Sequence, residues 1–408
     1  MLNFITGGVC AAQGFRAGGI HVGVKTHAAW KKDVALIVSD EDCACAAVYT
    51  KNAVKAAHIH VDKRHLADGK ARAAVINSGN ANACAPMGEE NAERVCAAAG
   101  KALGCRPEDV VVAATGVIGQ TLNVAVIEQG MPELCAAAAH TAAGSDAAAH
   151  AIMTTDTVKK ELAVETVIGG KTVRMGGIAK GSGMIHPNMG TMLCFLTTDC
   201  AISSEMIKSA LLETVQVSFN RISVDGDTST NDTCCVLANG LAGNPVITEK
   251  GPDYDAFVEA LRALCVELAK KMASDGEGAT HLITCTVTGA GSEQSAETVA
   301  KSVIGSALTK AAIFGADANW GRVLCAMGYS GEDFRPEYVS VAFESAAGSV
   351  AVCDKGAALD FDEDLAKRVL TEHDVTIAIT MGEGDSSCTC WGCDLTYEYV
   401  KINGDYRT

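Results

Sequence analysis

Short runs rich in β-branched residues alternate along this chain with segments that have one apolar face. The strand-like runs lie at 33–39, 73–76, 110–113, 283–288, 338–343 and 375–380. Apolar residues recur at helical spacing in three further segments, at 92–103, 257–272 and 296–307. A strand or a one-sided helix buries its apolar face only against another layer. The alternation therefore predicts sheets covered by helices, in a layered body of the α/β or α+β class.

The length and charge of the chain narrow the possible functions. At 408 residues the chain exceeds what one hydrophobic core usually serves, which predicts two packed units or one large layered body. The net charge of −16 disfavours nucleic acid and anionic membranes, because both need clustered Lys and Arg. No apolar run approaches the roughly 18 residues of a membrane span. Residues 1–8 lack the pattern of a signal peptide, so we expect a cytoplasmic protein.

Eighteen cysteines are present, mostly inside apolar runs, which is typical of buried thiols. Cys388, Cys390 and Cys393 form a C-x-C-x-x-C cluster whose spacing could hold a metal if a fourth ligand came from elsewhere. No matching second pair is evident, so we interpret the cluster as structural and expect no metal. The acidic run at 225–232 also has metal-like spacing, and we interpret it as a structural polar turn.

The segment 180–199 carries the most informative chemistry. It is a polar, glycine-rich stretch that runs into an apolar strand predicted to begin at Thr191. A threonine after glycine can attack the preceding carbonyl, and hydrolysis of the resulting ester would break the chain between Gly190 and Thr191. The freed threonine would carry a nucleophilic Oγ and an α-amine that titrates near pH 8 and serves as its base. Gly-Thr pairs are common, so spacing alone favours a plain strand start.

Several separate segments resemble the ornithine acetyltransferase family, whose members are glutamate N-acetyltransferases and in many cases bifunctional. The matching segments are 77–83, 114–119, 153–157, the loop that follows Lys180, 225–232, 277–280, 317–322 and 399–408. The resemblance implies an α-β-β-α sandwich with a smaller second lobe, similar to but distinct from N-terminal-nucleophile hydrolases. It also implies two chains after self-cleavage, 1–190 and 191–408.

The resemblance assigns the reaction to a threonine nucleophile. Thr191 matches the residue that accepts acetyl from N-acetylornithine as an ester and passes it to glutamate in a ping-pong cycle. Thr115 and Gly116 match the oxyanion hole of the family, and their place in a turn after a strand-like run suggests exposed backbone N–H groups there. Gly190 stands where the family usually has alanine.

The resemblance also assigns the substrate contacts. They are Thr191 itself and five further residues, Thr154, Lys180, Glu277, Asn403 and Thr408. Thr155 stays the alternative to Thr154, because two threonines are adjacent in that segment. A cation at Lys180 would hold a substrate carboxylate and lower the pKa of the Thr191 amine. A carboxylate at Glu277 would contact the cationic amino groups of the substrate.

The resemblance implies no cofactor and an α2β2 heterotetramer of the two cleavage products. Some members of the family also take acetyl from acetyl-CoA. This sequence has no phosphate-binding motif that would identify a site for coenzyme A. Whether acetyl-CoA is a co-substrate of this protein is therefore left open by the sequence. Two alternatives remain. A self-processing amidase or aminopeptidase of similar architecture would release the acyl group to water, and a cysteine-rich metal-binding protein would depend on Cys388, Cys390 and Cys393.

Overall fold

The computed structural model describes residues 2–26, 30–186 and 192–404. The chain divides into two compact units. The first unit comprises Met1–Gly181, Pro187–Asn220 and Thr228–Ala269, and the smaller second unit comprises Ser182–His186, Arg221–Asp227 and Lys270–Thr408. Of the two organisations expected from the length, two packed units or one large layered body, the structure has the first. The expected products of self-cleavage, 1–190 and 191–408, are a separate division of the chain and stay a prediction.

Both units are mixtures of strands and helices, which confirms the predicted fold class. The strands of the described residues are β1 (Asn3–Ile5), β2 (Phe15–Ile20), β3 (Val34–Tyr49), β4 (Lys70–Asn77), β5 (Val110–Ala114), β6 (Lys160–Ile168), β7 (Lys171–Lys180), β8 (Leu193–Thr198), β9 (Ile222–Ser223), β10 (Thr233–Ala238), β11 (Leu282–Ala290), β12 (Ser340–Ser345), β13 (Gly348–Asp354), β14 (Ala357–Ala358), β15 (Asp374–Thr380) and β16 (Ser386–Cys393). The helices are α1 (Ala57–His65), α2 (Gly88–Leu103), α3 (Val124–Ala137), α4 (Ala142–Ala151), α5 (Ser204–Val217), α6 (Pro252–Ser274), α7 (Glu293–Gly305), α8 (Ala307–Phe314), α9 (Trp320–Gly328), α10 (Glu363–Thr371) and α11 (Tyr397–Gly404).

The predicted elements match observed ones, although several of their ends differ. The six strand-like runs correspond to β3, β4, β5, β11, β12 and β15, and the three striped segments to α2, α6 and α7. The apolar stripe at 296–307 spans the end of α7 and the start of α8, because the side chain of Ser306 accepts a hydrogen bond from Thr309 N and caps α8. Lys180, the first residue of the predicted glycine-rich stretch, is the last residue of β7, and β8 begins at Leu193. Thr191, where this strand was predicted to begin, lies outside the described residues.

Over the described residues, the sheet of the first unit has nine strands, and it is buried on both faces. Its order is β1-β6-β7-β8-β10-β3-β4-β5, with β2 paired to β3. In β3, Val34 and Leu36 pack in one core cluster with α2 and α3, whereas Ala35 and Ile37 pack in another with α4. Successive side chains of a strand point to opposite faces, so a continuous apolar run requires helices on both sides.

In the part of the second unit that the structure describes, the sheet has seven strands in the order β14-β13-β12-β15-β11-β16-β9. Along β11, Ile283, Cys285 and Val287 are buried, and the residues between them are half-buried. The buried side chains form one core cluster with apolar residues of α7, α9 and α10. This alternation is typical of a sheet that carries its helices on one face. None of the helices within the described residues is long and apolar enough to cross a membrane.

All eighteen cysteines lie in the described residues as free thiols, and most are buried. Cys388 and Cys390 have their sulfurs 4.0 Å apart on β16. The sulfur of Cys393 instead accepts from Lys310 Nζ at 3.6 Å. Across the described ranges, no three His, Cys, Asp or Glu side chains are grouped so that they could hold a metal ion.

Candidate active site

Two turns meet where the parallel strands β4 and β5 end. The register pairs Asn77 with Ala114, so the turns that follow these residues lie side by side. Asn77 Oδ1 accepts from Asn80 N at 3.2 Å, which shapes the first turn. The backbone N–H of Thr115 in the second turn donates to Asn77 O at 2.9 Å. The matching segments at 77–83 and 114–119 therefore form one structural unit.

This geometry corrects the expectation of exposed backbone N–H groups at both Thr115 and Gly116. The N–H of Thr115 is committed to Asn77 O. Among the residues that the structure describes, the N–H of Gly116 has no acceptor, and the hydroxyl of Thr115 donates to none. The groups that this turn offers to a ligand are thus one backbone N–H and one side-chain hydroxyl.

Gly116 is required here by its conformation and by its neighbours. Its φ is +130°, in a region that side chains rarely adopt, and a Cβ there would lie 2.6 Å from the carbonyl carbon of Gly79. Because that obstacle is backbone, any larger residue would push the two turns apart. The two turns are held further by Asn231, a buried residue that precedes β10, whose Nδ2 donates to Ala81 O at 2.6 Å and to Ala114 O at 2.7 Å.

In the family that the sequence resembles, the residue at Gly116 belongs to the oxyanion hole. Alanine would keep the backbone N–H, but its Cβ would collide with the carbonyl carbon of Gly79 and displace the turn. If Gly116 has that role, Gly116→Ala is expected to lower kcat by about 10²-fold, the usual effect of losing one oxyanion donor. Gly119 offers a matched control, because its φ is also positive, at +80°, but a Cβ there would meet nothing within 4 Å. We expect Gly119→Ala to cost about 1 kcal/mol in the free energy of unfolding and to leave kcat near that of the wild type. Steady-state kinetics and urea unfolding of both variants would measure this, and equal kcat values would contradict the assignment of Gly116.

Lys180 lies at the end of β7 and its side chain is directed at the same turn. It is 7% exposed, and its Nζ donates to Thr115 Oγ1 at 3.3 Å. The antiparallel register places Lys180 opposite Leu193, two residues after the predicted nucleophile in the chain. Lys180 is therefore a buried strand residue and not a solvated lysine of a loop.

A buried carboxylate, Asp156, accompanies this lysine. Its Oδ1 accepts from Lys160 Nζ at 2.5 Å and from Gly181 N at 2.8 Å, and its Oδ2 accepts from Thr154 N at 3.0 Å. Burial alone would raise the pKa of Asp156, but the positive charges of Lys160 and Lys180 outweigh burial and hold the pKa well below its ordinary value. The predicted contact Thr154 is thus linked through Asp156 to the surroundings of Lys180.

Asp232 is another buried carboxyl of this unit. Burial raises its pKa well above the ordinary value, opposed by the hydroxyls of Ser229 and Thr50, the charge of Lys180 and the backbone N–H of Met192. The pKa of Asp232 is therefore shifted in the direction opposite to that of Asp156. Asp232 was interpreted from the sequence as part of a polar turn, as was Asn231. The turn interpretation does hold for Asp225, whose carboxylate accepts from Met184 N and Ile185 N in the second unit.

Two predicted substrate contacts, Glu277 and Asn403, are neighbours within the second unit. Glu277 is 7% exposed, and its Oε2 accepts from Asn403 Nδ2, on α11, at 2.7 Å. Its backbone N–H donates to Ser182 O at 2.8 Å. A Cβ on Gly183 would lie 2.2 Å from Glu277 Cδ, so the carboxylate packs directly on this glycine. Glu277 is therefore a buried carboxylate with a side-chain partner and not an exposed carboxylate of a turn.

Three predicted residues, Gly190, Thr191 and Thr408, lie outside the described residues. Within the first unit, Thr115, Gly116 and Lys180 are brought together, and Thr154 is joined to them through Asp156. Sequence reasoning missed Asp156, Asn231 and Asp232, although all three lie inside the matching segments 153–157 and 225–232. Asn231 and Asp232 lie directly before β10, and Asp156 lies shortly before β6. Polar residues near the ends of strands point to a site only once it is known which strands are neighbours.

The site combines a backbone N–H donor, a side-chain hydroxyl and a buried cation at strand ends of a mixed α/β fold. This combination is typical of enzymes that transfer acyl groups. The chain belongs to the ArgJ family, whose model matches residues 16–408. It is 50% identical over 408 residues to the arginine biosynthesis bifunctional protein ArgJ of Symbiobacterium thermophilum, covering 100% of both chains. The protein of the same name from Caldanaerobacter subterraneus subsp. tengcongensis is 47% identical, again over 100% of both.

A solved structure is also similar, the arginine biosynthesis bifunctional protein ArgJ of Bacillus halodurans. It is 44% identical, and the match covers 51% of this chain and 96% of that chain with a TM-score of 0.48.

Proposed function

We propose that this protein transfers the acetyl group of N2-acetyl-L-ornithine to L-glutamate through an acetyl ester on Thr191, giving ornithine and N-acetylglutamate. The observation that carries the proposal is the contact of Lys180 Nζ with Thr115 Oγ1 beside the N–H of Gly116, which has no acceptor within the described part of the chain. The shared name of the relatives, which refers to arginine biosynthesis, supports the choice of substrates. The reaction uses no cofactor.

In the first half of the cycle, the Oγ of Thr191 attacks the acetyl carbonyl carbon of the donor amide. The α-amine of Thr191 takes the hydroxyl proton and returns it to the leaving nitrogen as the C–N bond breaks. Ornithine departs, and the acetyl group remains as an ester. In the second half, the amine of glutamate attacks this ester, the ester C–O bond breaks, and the proton returns to the Oγ of Thr191.

Both halves pass through a tetrahedral oxyanion that needs donors already in place. The N–H of Gly116 is one donor in this proposal, and the hydroxyl of Thr115 is the other. Because Thr115 Oγ1 accepts from Lys180 Nζ, its own hydrogen must point elsewhere and is available to the oxyanion. The charge of Lys180 additionally holds a substrate carboxylate and lowers the pKa of the Thr191 amine, which favours its unprotonated form.

The remaining contacts in the proposal are Thr154, Glu277, Asn403 and Thr408. The carboxylate of Glu277 binds a cationic amino group of the substrate, and Asn403 Nδ2 orients that carboxylate. We also propose that the enzyme works in the cytoplasm as an α2β2 heterotetramer of the chains 1–190 and 191–408.

A partition assay tests the proposal against its closest rival. The purified protein is mixed with N2-acetylornithine, with and without glutamate, and ornithine, N-acetylglutamate and acetate are quantified. We expect ornithine and N-acetylglutamate in equal amounts, with little acetate. Without glutamate, we expect ornithine release to stop near one equivalent per active site, because the acetyl ester has no acceptor. Continuous acetate release that is independent of glutamate would favour an amidase and overturn the transferase.

A further inference from the structure

A small cavity of the first unit adjoins the two turns that follow β4 and β5. Its volume is about 10 Å³, which is the space that one water molecule needs. None of the residues that line it is more than 4% exposed, so the cavity is closed off from the surrounding solvent. Its wall is mostly apolar, but it includes the polar side chains of His58, Asn77 and Asn82. The reaction proposed above gives this cavity no role.

The hydrogen bonds of His58, the second residue of α1, determine which of its ring nitrogens carries the proton. The hydroxyl of Thr233 donates to Asn231 O at 3.2 Å, so its oxygen must accept from His58 Nε2, which lies 3.3 Å away. Burial lowers the pKa of His58 to about 3, opposed by a hydrogen bond to the backbone of Asn231 and aided by the charge of His60. At neutral pH the ring is therefore uncharged, its proton lies on Nε2, and Nδ1 is an acceptor.

Asn82 supplies a second acceptor to the same cavity, from the first of the two turns. Its Nδ2 donates to Gly88 O at 2.8 Å, which fixes the orientation of the amide. Among the residues that the structure describes, neither Asn82 Oδ1 nor His58 Nδ1 has a hydrogen-bond partner, and both atoms are buried. Buried acceptors are nearly always satisfied in folded proteins. The two atoms therefore require a donor that is not part of the described chain.

The identity of this donor follows from its neighbours. Two acceptors cannot bond to each other, and a molecule placed between them must donate a hydrogen to each. Water has two hydrogens to donate and fits a cavity of about 10 Å³. An anion brings only further acceptors, and a metal cation prefers several oxygen ligands, among them carboxylates, which the described lining lacks. The cavity therefore matches a single water molecule.

We propose that this cavity binds one water molecule, which donates to His58 Nδ1 and Asn82 Oδ1, and that His58 is a positioning residue for the two turns of the active site. The inference rests on the acetyl transfer proposed above, since it concerns the donors to the oxyanion of that reaction. His58 does not touch the substrate in this proposal. It acts through the backbone that presents the N–H of Gly116.

Two routes connect the imidazole of His58 with Gly116. On one side, the water joins His58 to Asn82, and the turn that contains Asn82 lies against Gly116, because a Cβ on Gly116 would collide with its backbone. On the other side, the hydrogen bonds of Nε2 lead to Asn231, whose Nδ2 donates to Ala114 O at 2.7 Å. A displacement of about 1 Å in a catalytic group can lower a rate about 100-fold, so contacts behind the turns affect the reaction.

Two measurements on the wild type test the water site directly. A crystal structure should show a water within about 3.2 Å of both His58 Nδ1 and Asn82 Oδ1. The ¹⁵N spectrum of protein labelled at histidine should show an unprotonated Nδ1 and a protonated Nε2 for His58, with the signals assigned by their loss in His58→Gln. A site without the water, or a proton on Nδ1, would overturn the inference. These measurements decide the water site even where a variant of His58 does not fold.

The positioning role is tested with His58→Gln, which keeps an amide near the position of Nε2 and removes the acceptor Nδ1. We expect kcat per active site to fall about 10-fold, with the KM values for acetylornithine and glutamate within about twofold of the wild type, because the oxyanion exists only in the transition state. Active sites are counted by the one equivalent of ornithine released without glutamate, so loss of folded protein does not lower the measured kcat. His60→Gln is the matched control, since His60 lies on the same helix and is exposed, and its kcat should equal that of the wild type.

The possible results separate this inference from the proposed function. A kcat per active site in His58→Gln equal to that of the wild type would overturn the positioning role. A rise in KM without a fall in kcat would also overturn it, because the effect would then lie in substrate binding. Absence of exchange in the wild type would overturn the proposed function and this role of His58 with it, whereas the water site is decided by the crystal structure and the ¹⁵N spectrum alone.

Discussion

Replacing Thr191 by alanine is expected to leave the protein as one uncleaved chain and to lower acetyl transfer by about 10³-fold or more. The same Oγ is required twice in the proposal, first to attack the carbonyl of Gly190 and then to carry the acetyl group. The freed α-amine, which is the proposed base, also exists only after cleavage. A denaturing gel with intact mass would show two fragments for the wild type and one for the variant, and single-turnover assays would measure the loss of transfer.

Two control variants make this result specific. Thr191→Ser keeps a hydroxyl at the same position, so we expect it to be cleaved and to retain part of the activity. Thr121→Ala removes an exposed threonine of the same unit and should match the wild type in both assays. A wild type that is active as one intact chain, or a Thr191→Ala variant that is still cut between 190 and 191, would contradict the mechanism.

Replacing Asp156 by asparagine is expected to lower the free energy of unfolding by about 3–5 kcal/mol, the usual cost of breaking a buried ion pair. Asp156 and Lys160 are both 0% exposed, and Lys180 lies close to the same carboxylate. The amide preserves the shape and acceptor oxygen of Asp156 but removes the negative charge that faces both lysines. Because Lys180 contacts Thr115, we also expect kcat to fall. Urea unfolding and steady-state kinetics would measure the two effects.

The chain contains a matched control, Asp146, which pairs with Lys159. These side chains are 43% and 36% exposed, so water screens the pair and Asp146→Asn should cost no more than about 1 kcal/mol. Similar losses of unfolding free energy in Asp156→Asn and Asp146→Asn would show that burial does not determine how much Asp156 contributes to stability.

The dependence of stability on pH follows from the direction in which the pKa of Asp156 is shifted. The pKa of Asp156 in the folded protein lies below its ordinary value, so the unfolded state binds a proton first as the pH falls. The contribution of Asp156 is therefore fully present above about pH 5 and is lost progressively below about pH 4. The difference in stability between the wild type and Asp156→Asn should stay constant from pH 7 to pH 5 and shrink under more acidic conditions.

The elements of the fold were largely predictable from the sequence. Alternating β-branched runs and helical stripes located β3, β4, β5, α2 and α6 because both patterns are local and are imposed by burial of one face. The ends of elements were less predictable. Ser306 interrupts a continuous apolar stripe by capping α8, and Lys180 extends β7 by pairing with Leu193, which comes thirteen residues later in the sequence.

The resemblance of short motifs identified several candidate site residues. The structure then showed which groups lie beside them and which hydrogen bonds these groups make. The pairing of Thr115 N with Asn77 O leaves the hydroxyl of Thr115, rather than its N–H, as the group that faces a ligand. Asn231 is 117 residues from Ala114 in the chain, yet it bonds to the carbonyl of that residue. Such contacts carry no periodic signal, so no local pattern reveals them.

The sequence alone therefore determined the class of fold, the acidic character of the chain and the motif that contains Thr191. Only the tertiary structure decided that the pKa of Asp156 lies below its ordinary value while the pKa of Asp232 lies above it. Both residues are buried acids, and they differ in the cations packed against them. The charge state of a buried group is set by burial and by neighbours in space, and these are fixed when distant strands form one sheet.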